Sequence, residues 1–277
     1  MDPRKPDWLA SQTLEPHTSV LRRLVAAAEA EPAVRFIELC CSVARGSGDE
    51  SSDLDLGLGI ADETWPEALS LVRPMLVGLG DVVDLLEHRI AEWGEVSHRR
   101  FFVQYRNGVQ VDLVASPVSR RPGMPLGSVA LYDPDERLAT TFTSTLERAT
   151  PDSVVEWAFL AWIALANLDK YLRRGSLWEA LDQVHEARTH LWRLWAVVCD
   201  ARYPGFGLTS VLDMVAPATP PGLDRTVPNL DADDLRRAGL ALASMLEEVS
   251  ARAADGVGVD APNAMAAFVR NRLTDTR

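Results

Sequence analysis

The chain has 277 residues, 47% of them hydrophobic and 25% charged, and three cysteines, Cys40, Cys41 and Cys199. Two of the cysteines are adjacent and no C-x-x-C spacing occurs, which excludes a disulfide framework and a zinc ribbon. The formal net charge is −12, with 15 basic against 23 acidic side chains through residue 148 and 13 against 17 beyond it. Neither half therefore has the basic excess of a nucleic-acid binder, and a small-molecule partner fits the balance better.

Residues 1–16 are polar, are broken by Pro3 and Pro6, and lack the apolar segment of a secretion signal. No apolar run approaches the roughly 18 residues of a membrane-spanning helix. With unpaired cysteines, these features predict a cytoplasmic protein.

Val20, Leu21, Leu24 and Val25 at helical spacing predict a helix over 16–30. A strand is predicted over 34–41, followed by a polar stretch over 42–52 that contains Gly46 and Gly48. Residues 53–60 alternate acidic or small side chains with aliphatic ones, the pattern of a half-buried strand. A helix over 67–78 carries Pro74, which kinks or shortens it, and a strand over 81–88 follows. Two strands, 101–105 and 109–114, flank Arg106-Asn107-Gly108, and Asn-Gly is the strongest short hairpin signal. Residues 116–127 read as a loop rich in Pro, Gly and Arg, and 128–132 as a last strand.

Beyond residue 145 the period is helical. Thr150-Pro151 supplies an N-cap followed by proline at the first helical position, and Gly175 stands as the C′ residue of that helix. Ser176 with Glu179 reads as a capping box opening a second helix. Tyr203-Pro204-Gly205-Phe206-Gly207 breaks the pattern, 216–230 is a Pro-rich loop, and helices over 231–253 and 263–273 complete the chain. Two domains are expected, 1–148 and 149–277.

The chemistry concentrates in Cys41-Ser42-Val43-Ala44-Arg45-Gly46-Ser47-Gly48, with Ser52-Asp53-Leu54-Asp55-Leu56 just beyond. Asp53 and Asp55, at i and i+2 on a strand, project to one face, where two carboxylates repel unless a cation lies between them. Hard oxygen ligands at this spacing suit Mg²⁺. Asp112, set among Val111, Leu113 and Val114, adds a third carboxylate if its strand neighbours the first. Three such groups can hold two Mg²⁺ ions. Ser42, Gly46 and Arg45 offer a hydroxyl, backbone N–H groups and a charge to phosphate oxygens; Arg45 could equally pair with an acid.

These words resemble the nucleotidyltransferase signature of the DNA polymerase β-like superfamily, in which Gly-Ser precedes Asp-x-Asp by about ten residues and a third acid follows on a later strand. Ala44-Arg45-Gly46 and Ser52-Asp53-Leu54-Asp55-Leu56 carry the likeness, which covers 34–132 well. The resemblance implies transfer of a nucleoside monophosphate from a nucleoside triphosphate, ATP by default, to a hydroxyl, with release of pyrophosphate. It implies Asp53, Asp55 and Asp112 as catalytic and metal ligands for two Mg²⁺ ions. Ser42, Arg45, Gly46 and Ser52 would then lie on the nucleotide. The layout is similar to the aminoglycoside and lincosamide nucleotidyltransferases, an α/β (α+β) domain with a mixed sheet followed by an α-helical bundle. Asp169-Lys170-Tyr171-Leu172-Arg173-Arg174-Gly175 and Ala187-Arg188 match their helical domains more loosely and imply Lys170, with Arg188 behind it, on the triphosphate. Where the family has Gly before Ser, this chain has Cys41. Glycine permits positive φ and close approach to phosphate, so Cys41 keeps open a degenerate nucleotide-binding homologue. A toxin–antitoxin nucleotidyltransferase acting on protein or tRNA is a second alternative, disfavoured by the acidic charge, and a biosynthetic enzyme of the same chemistry a third.

Other features read as structural. His185 and His190 at i, i+5 stand about 140° apart on a helix and do not share a metal. Trp192 and Trp195 at i, i+3 share a face and read as core. Asp112 can serve as general base through the metal, with Glu87, Glu92, Glu156, Glu179 and Glu186 also open. Oligomeric state is open, a homodimer included.

Overall fold

The computed structural model describes residues 14–65, 67–90 and 98–275; residues 1–13 and Glu92 lie outside them. The chain divides into two compact units, Met1–Ser144 and Thr145–Arg277. Among the described residues no helix is long and apolar enough to cross a membrane.

The first unit is built on a six-stranded mixed sheet. Its strands are β1 (Val34–Leu39), β2 (Leu54–Ile60), β3 (Val82–Ile90), β4 (His98–Tyr105), β5 (Gln110–Pro117) and, after the two-residue β6 (Met124–Pro125), β7 (Val129–Tyr132). The spatial order is β3-β4-β5-β2-β1-β7. The central β2–β5 pair is parallel and its neighbours are antiparallel. The parallel pair needs a crossover, which the α3–β3–β4 excursion provides, with α3 spanning Leu69–Gly78. β6 pairs separately with β8 (Thr141–Phe142). The hairpin at Asn107-Gly108 forms as expected, with Gly108 at φ 93°.

The alternation in each strand divides the sheet into an apolar face and a polar one. Ile37, Leu39, Leu56, Leu58, Phe101 and Leu113 are buried in one cluster with Val20, Leu21 and Leu24 of α1 (Glu15–Glu29) and with Val72 and Leu76 of α3. Pro74 lies inside α3 without ending it. The Tyr105 hydroxyl donates to the Leu76 carbonyl at 2.7 Å, and Arg23 donates to the Leu79 carbonyl at 2.9 Å. These bonds tie the C-terminal end of α3 to β4 and α1.

The opposite face carries Phe36, Glu38, Asp55, Gly57, Gly59, Arg100, Phe102, Asp112 and Val114, by the cross-strand register. Two glycines make room there. A Cβ on Gly59 would stand 2.1 Å from the Phe36 ring, and one on Gly57 would stand 2.4 Å from a Glu38 carboxylate oxygen.

The second unit is wholly helical: α4 (Pro151–Arg173), α5 (Leu177–Val198), α6 (Leu208–Leu212), α7 (Ala232–Val257) and α8 (Asn263–Thr274). The Thr150 side chain accepts from the Ser153 N–H, while the Ser153 hydroxyl accepts from the Thr150 N–H, a reciprocal cap worth about 1 kcal/mol. Asp231 caps α7 through two backbone N–H groups. The Ser176 box does not form, because the Ser176 hydroxyl donates to the Glu179 carboxylate instead of accepting from the helix backbone. Trp162, Leu165, Leu191, Trp192, Trp195 and Leu242 belong to this unit's core. Fully buried Asp169 receives Arg173, Arg236 and Arg272, a carboxylate compensated as burial demands.

Gly59→Ala should cost roughly 1–3 kcal/mol by overpacking Phe36, measured as a lower urea midpoint with an unchanged slope. An unaltered midpoint would mean that the Phe36 ring moves aside freely.

Candidate active site

Register puts the two central acids together. Asp55 of β2 is the cross-strand partner of Asp112 of β5, so the neighbouring strands that the sequence left conditional are adjacent and parallel. Asp53 lies one residue before the first residue of β2 and is exposed. Burial pushes the Asp55 carboxyl above its ordinary range. The charge of Asp53 adds to this and so does that of Asp112, against a lowering by a hydrogen bond with the Cys41 thiol and by Arg100. Burial is thus the main cause of the shift, and the two neighbouring carboxylates add to it.

Asp55 and Asp112 line a cavity of about 350 Å³ together with Glu38, Cys40, Cys41, Arg100 and Arg121. Ser42, Arg45, Gly46, Ser52, Asp53 and Lys170 are not on that lining. The expected strand over 34–41 ends at Leu39, and Cys41–Ala44 form a short helical turn, α2. Cys40 remains tied to β2 through its N–H, which donates to the Asp55 carbonyl at 2.8 Å. The chain then turns at Gly46, φ 74°. Ser42 is half-buried, and its carbonyl accepts from the N–H and hydroxyl of Ser47. Arg45 and Gly46 are exposed. Ser52 is held by Asp49, donating to its carboxylate and accepting from its N–H, and its carbonyl meets His17 Nε2 at 2.7 Å. These bonds fix the approach of the chain to Asp53.

Cys41 adopts φ 59°. That is the left-handed region, which costs a side-chain-bearing residue roughly 1–2 kcal/mol. Cys41 is exposed at the surface, yet desolvation around its sulfur first, then the Asp55 carboxylate, push its thiol up to about 12. Burial also pushes Cys40 up to about 11, even though the Ser128 hydroxyl donates to its sulfur. Both thiols are therefore shifted away from the thiolate form.

Arg100 joins the site from β4. Its Nε donates to Asp112 Oδ1 at 2.8 Å and its Nη2 to Oδ2, a bidentate pair. The guanidinium carbon lies 4.4 Å from the centre of the Phe102 ring. Glu38 is buried on β1 and pairs with Arg121. Its second oxygen and the Arg121 Nε have no hydrogen-bond partner.

The donor set of Asp53 and Asp55 fits a hard divalent cation, since uncompensated carboxylates seek one. Among the described residues, however, no three His, Cys, Asp or Glu side chains are grouped to hold one ion; a guanidinium occupies Asp112 instead. Glu87, one candidate base, pairs across to Phe101 on the opposite face and forms an ion pair with Arg99.

In the second unit Lys170 donates to Asn167 at 2.8 Å and lies over the Tyr171 ring. Arg188 is bound to the hydroxyl and carbonyl of Thr226. His185 is exposed whereas His190 is buried against Glu186, so only the first is a surface histidine. Sequence reasoning missed Glu38, Arg100 and Arg121. The signal for Glu38 is a lone acid in an apolar strand; the basic pair Arg99-Arg100 lies inside β4, ahead of the strand expected over 101–105.

No family model and no curated protein matches this chain. Among solved structures it is similar to an aminoglycoside 6-adenyltransferase from Bacillus subtilis, at 12% identity over 96% of this chain and 100% of that one, with a TM-score of 0.42. It is also similar to an H. pylori protein provisionally assigned as a nucleotidyltransferase, at 13% identity over 86% and 97% of the two chains, with a TM-score of 0.28. At these values the functional case rests on this chain's own residues.

At ordinary positions alanine is more stable than glycine by about 0.5–1 kcal/mol. At Cys41 the order should invert, with Cys41→Gly unfolding at a higher temperature than Cys41→Ala. Alanine matching or exceeding glycine would remove the backbone argument at this residue.

Proposed function

We propose that this chain is a Mg²⁺-dependent nucleotidyltransferase that moves a nucleoside monophosphate, AMP from ATP by default, to a hydroxyl of a small molecule. The observation that carries this reading is the opposition of Asp55 and Asp112 on the parallel β2–β5 pair, in the lining of a cavity. Asp53 and Asp55 would hold the divalent cation, with Asp112 completing the set. The ion supplies charge neutralisation on the triphosphate and acidifies the acceptor hydroxyl when bound.

The chain's own residues divide the remaining work. The Ser42 hydroxyl and the N–H groups around Gly46 bind the outer phosphates, and Arg45 adds charge there. Ser52, fixed by Asp49, orients the start of the Asp53–Asp55 segment. The acceptor oxygen forms a bond to the α-phosphorus as the bond to the pyrophosphate oxygen breaks, in line. The hydroxyl proton passes to a carboxylate of the cavity, where Asp55, Asp112 and Glu38 are the three that line it. Lys170 is assigned to the triphosphate by resemblance. An aminoglycoside or a lincosamide is the acceptor class the resemblance favours. Cys41, with its positive φ, favours one second reading, a degenerate homologue that binds nucleotide without transferring it.

Release of pyrophosphate from each nucleoside triphosphate, with Mg²⁺ and a panel of aminoglycosides and lincosamides, tests the proposal. Turnover should require an acceptor and fall by about a hundred- to a thousandfold in Asp53→Asn and Asp55→Asn, the scale of losing a principal charge-stabilising group. Turnover retained in either variant would remove the metal assignment. Turnover absent in the natural chain but present in Cys41→Gly would establish the degenerate reading.

A further inference from the structure

Arg100 lines the cavity beside the acid pair, and the proposed mechanism leaves it without a task. It reaches from β4 across the sheet face to both oxygens of Asp112. The Asp112 side chain is only 13% exposed, against 38% for Arg100. Asp112 and Asp55 each strengthen the hold of Arg100 on its proton. The guanidinium also lies over Phe102, whose ring stacks with His88 at 5.8 Å between centroids. Phe102 is itself the cross-strand partner of Asp112.

This geometry sets a competition. A divalent cation that uses Asp112 must either displace the guanidinium or share the carboxylate with it, and sharing places like charges a few ångströms apart. A guanidinium that leaves Asp112 keeps its Phe102 platform, since a cation over an aromatic face is attracted there independently of the carboxylate. In that position it is an anion ligand at the edge of the same cavity.

We propose, building on the nucleotidyltransferase reading, that Arg100 is a displaceable internal counter-cation. It neutralises Asp112 before metal arrives, opposes a divalent cation entering alone, and yields when the nucleotide brings the negative charge that a released guanidinium can meet. Arg100 thus makes metal and nucleotide bind cooperatively. Coupling of this kind is reciprocal, so each ligand raises the affinity for the other by the same factor.

Mn²⁺ binding followed by electron paramagnetic resonance tests this, with and without a non-transferable α,β-methylene nucleoside triphosphate, in the full chain. In Arg100→Met, Mn²⁺ alone should bind about tenfold more tightly than in the natural protein, and the enhancement by nucleotide should shrink by a similar factor. Arg100→Lys, which keeps the charge without the bidentate fork, should fall between the two and serves if the methionine variant does not fold. Arg106→Met removes one positive charge at an exposed pair with Asp81 and should leave both quantities unchanged. Equal Mn²⁺ affinity and equal enhancement in the natural protein and both Arg100 variants would overturn the proposal and leave the Arg100–Asp112 pair structural. Failure of the natural protein to bind Mn²⁺ even with nucleotide would instead overturn the metal-dependent reading on which it rests.

Discussion

Carboxylates placed opposite each other on adjacent strands repel, and a sheet tolerates the pair only where a cation offsets them. In this protein the parallel β2–β5 ladder sets Asp55 against Asp112, and the surrounding structure is arranged about that constraint. β4 contributes Arg100 from one side. β1 contributes Glu38 and ends at Leu39, so that Cys41 can turn its thiol toward Asp55. The reverse face, by contrast, is filled with aliphatic side chains that pack on α1 and α3. The apolar face holds the strands in register, and the register holds the charges together.

Much of this was legible in the residues. Asp53-Leu54-Asp55-Leu56 alternates as a half-buried strand must, Asn107-Gly108 admits few conformations other than a hairpin turn, and Thr150-Pro151 announces a helix start. The mixed sheet and helical second half followed from those patterns together with the family resemblance. What escaped depended on partners distant in sequence. Arg100 reads as the polar lead-in to Phe101-Phe102, and its role appears only when β4 lies beside β5. Glu38 reads as an ordinary outward strand residue until Gly57 leaves room for it and Arg121 covers it. At Ser176 the local pattern failed for a local reason: the hydroxyl found a stronger acceptor in the Glu179 carboxylate than a backbone donor could offer in return.

Cys41 shows how a substitution can be read physically instead of as a mismatch. The nucleotidyltransferase signature that this stretch resembles has glycine at this point, and the backbone here has the left-handed geometry that glycine favours. The cysteine accepts that strain and sets its thiol near the Asp55 carboxylate, whose charge raises it, which makes it part of the electrostatics of the acid pair. Local strain of this sort persists where surrounding structure over-determines it, and here β1 and β2 do so through the Cys40 N–H bond to the Asp55 carbonyl.

The central claim is that Asp55 and Asp112 form the cation-dependent floor of a nucleotide site. Thermal unfolding with each nucleoside triphosphate, with and without Mg²⁺, beside the Asp55→Asn variant, tests it most directly. A ligand at about a hundred times its dissociation constant stabilises by roughly 2.7 kcal/mol, a shift of about 5–10 °C for a protein of this size. The account requires such a shift for at least one nucleotide, dependent on Mg²⁺ and lost in the variant. A shift that is indifferent to Mg²⁺ or that survives Asp55→Asn would contradict it.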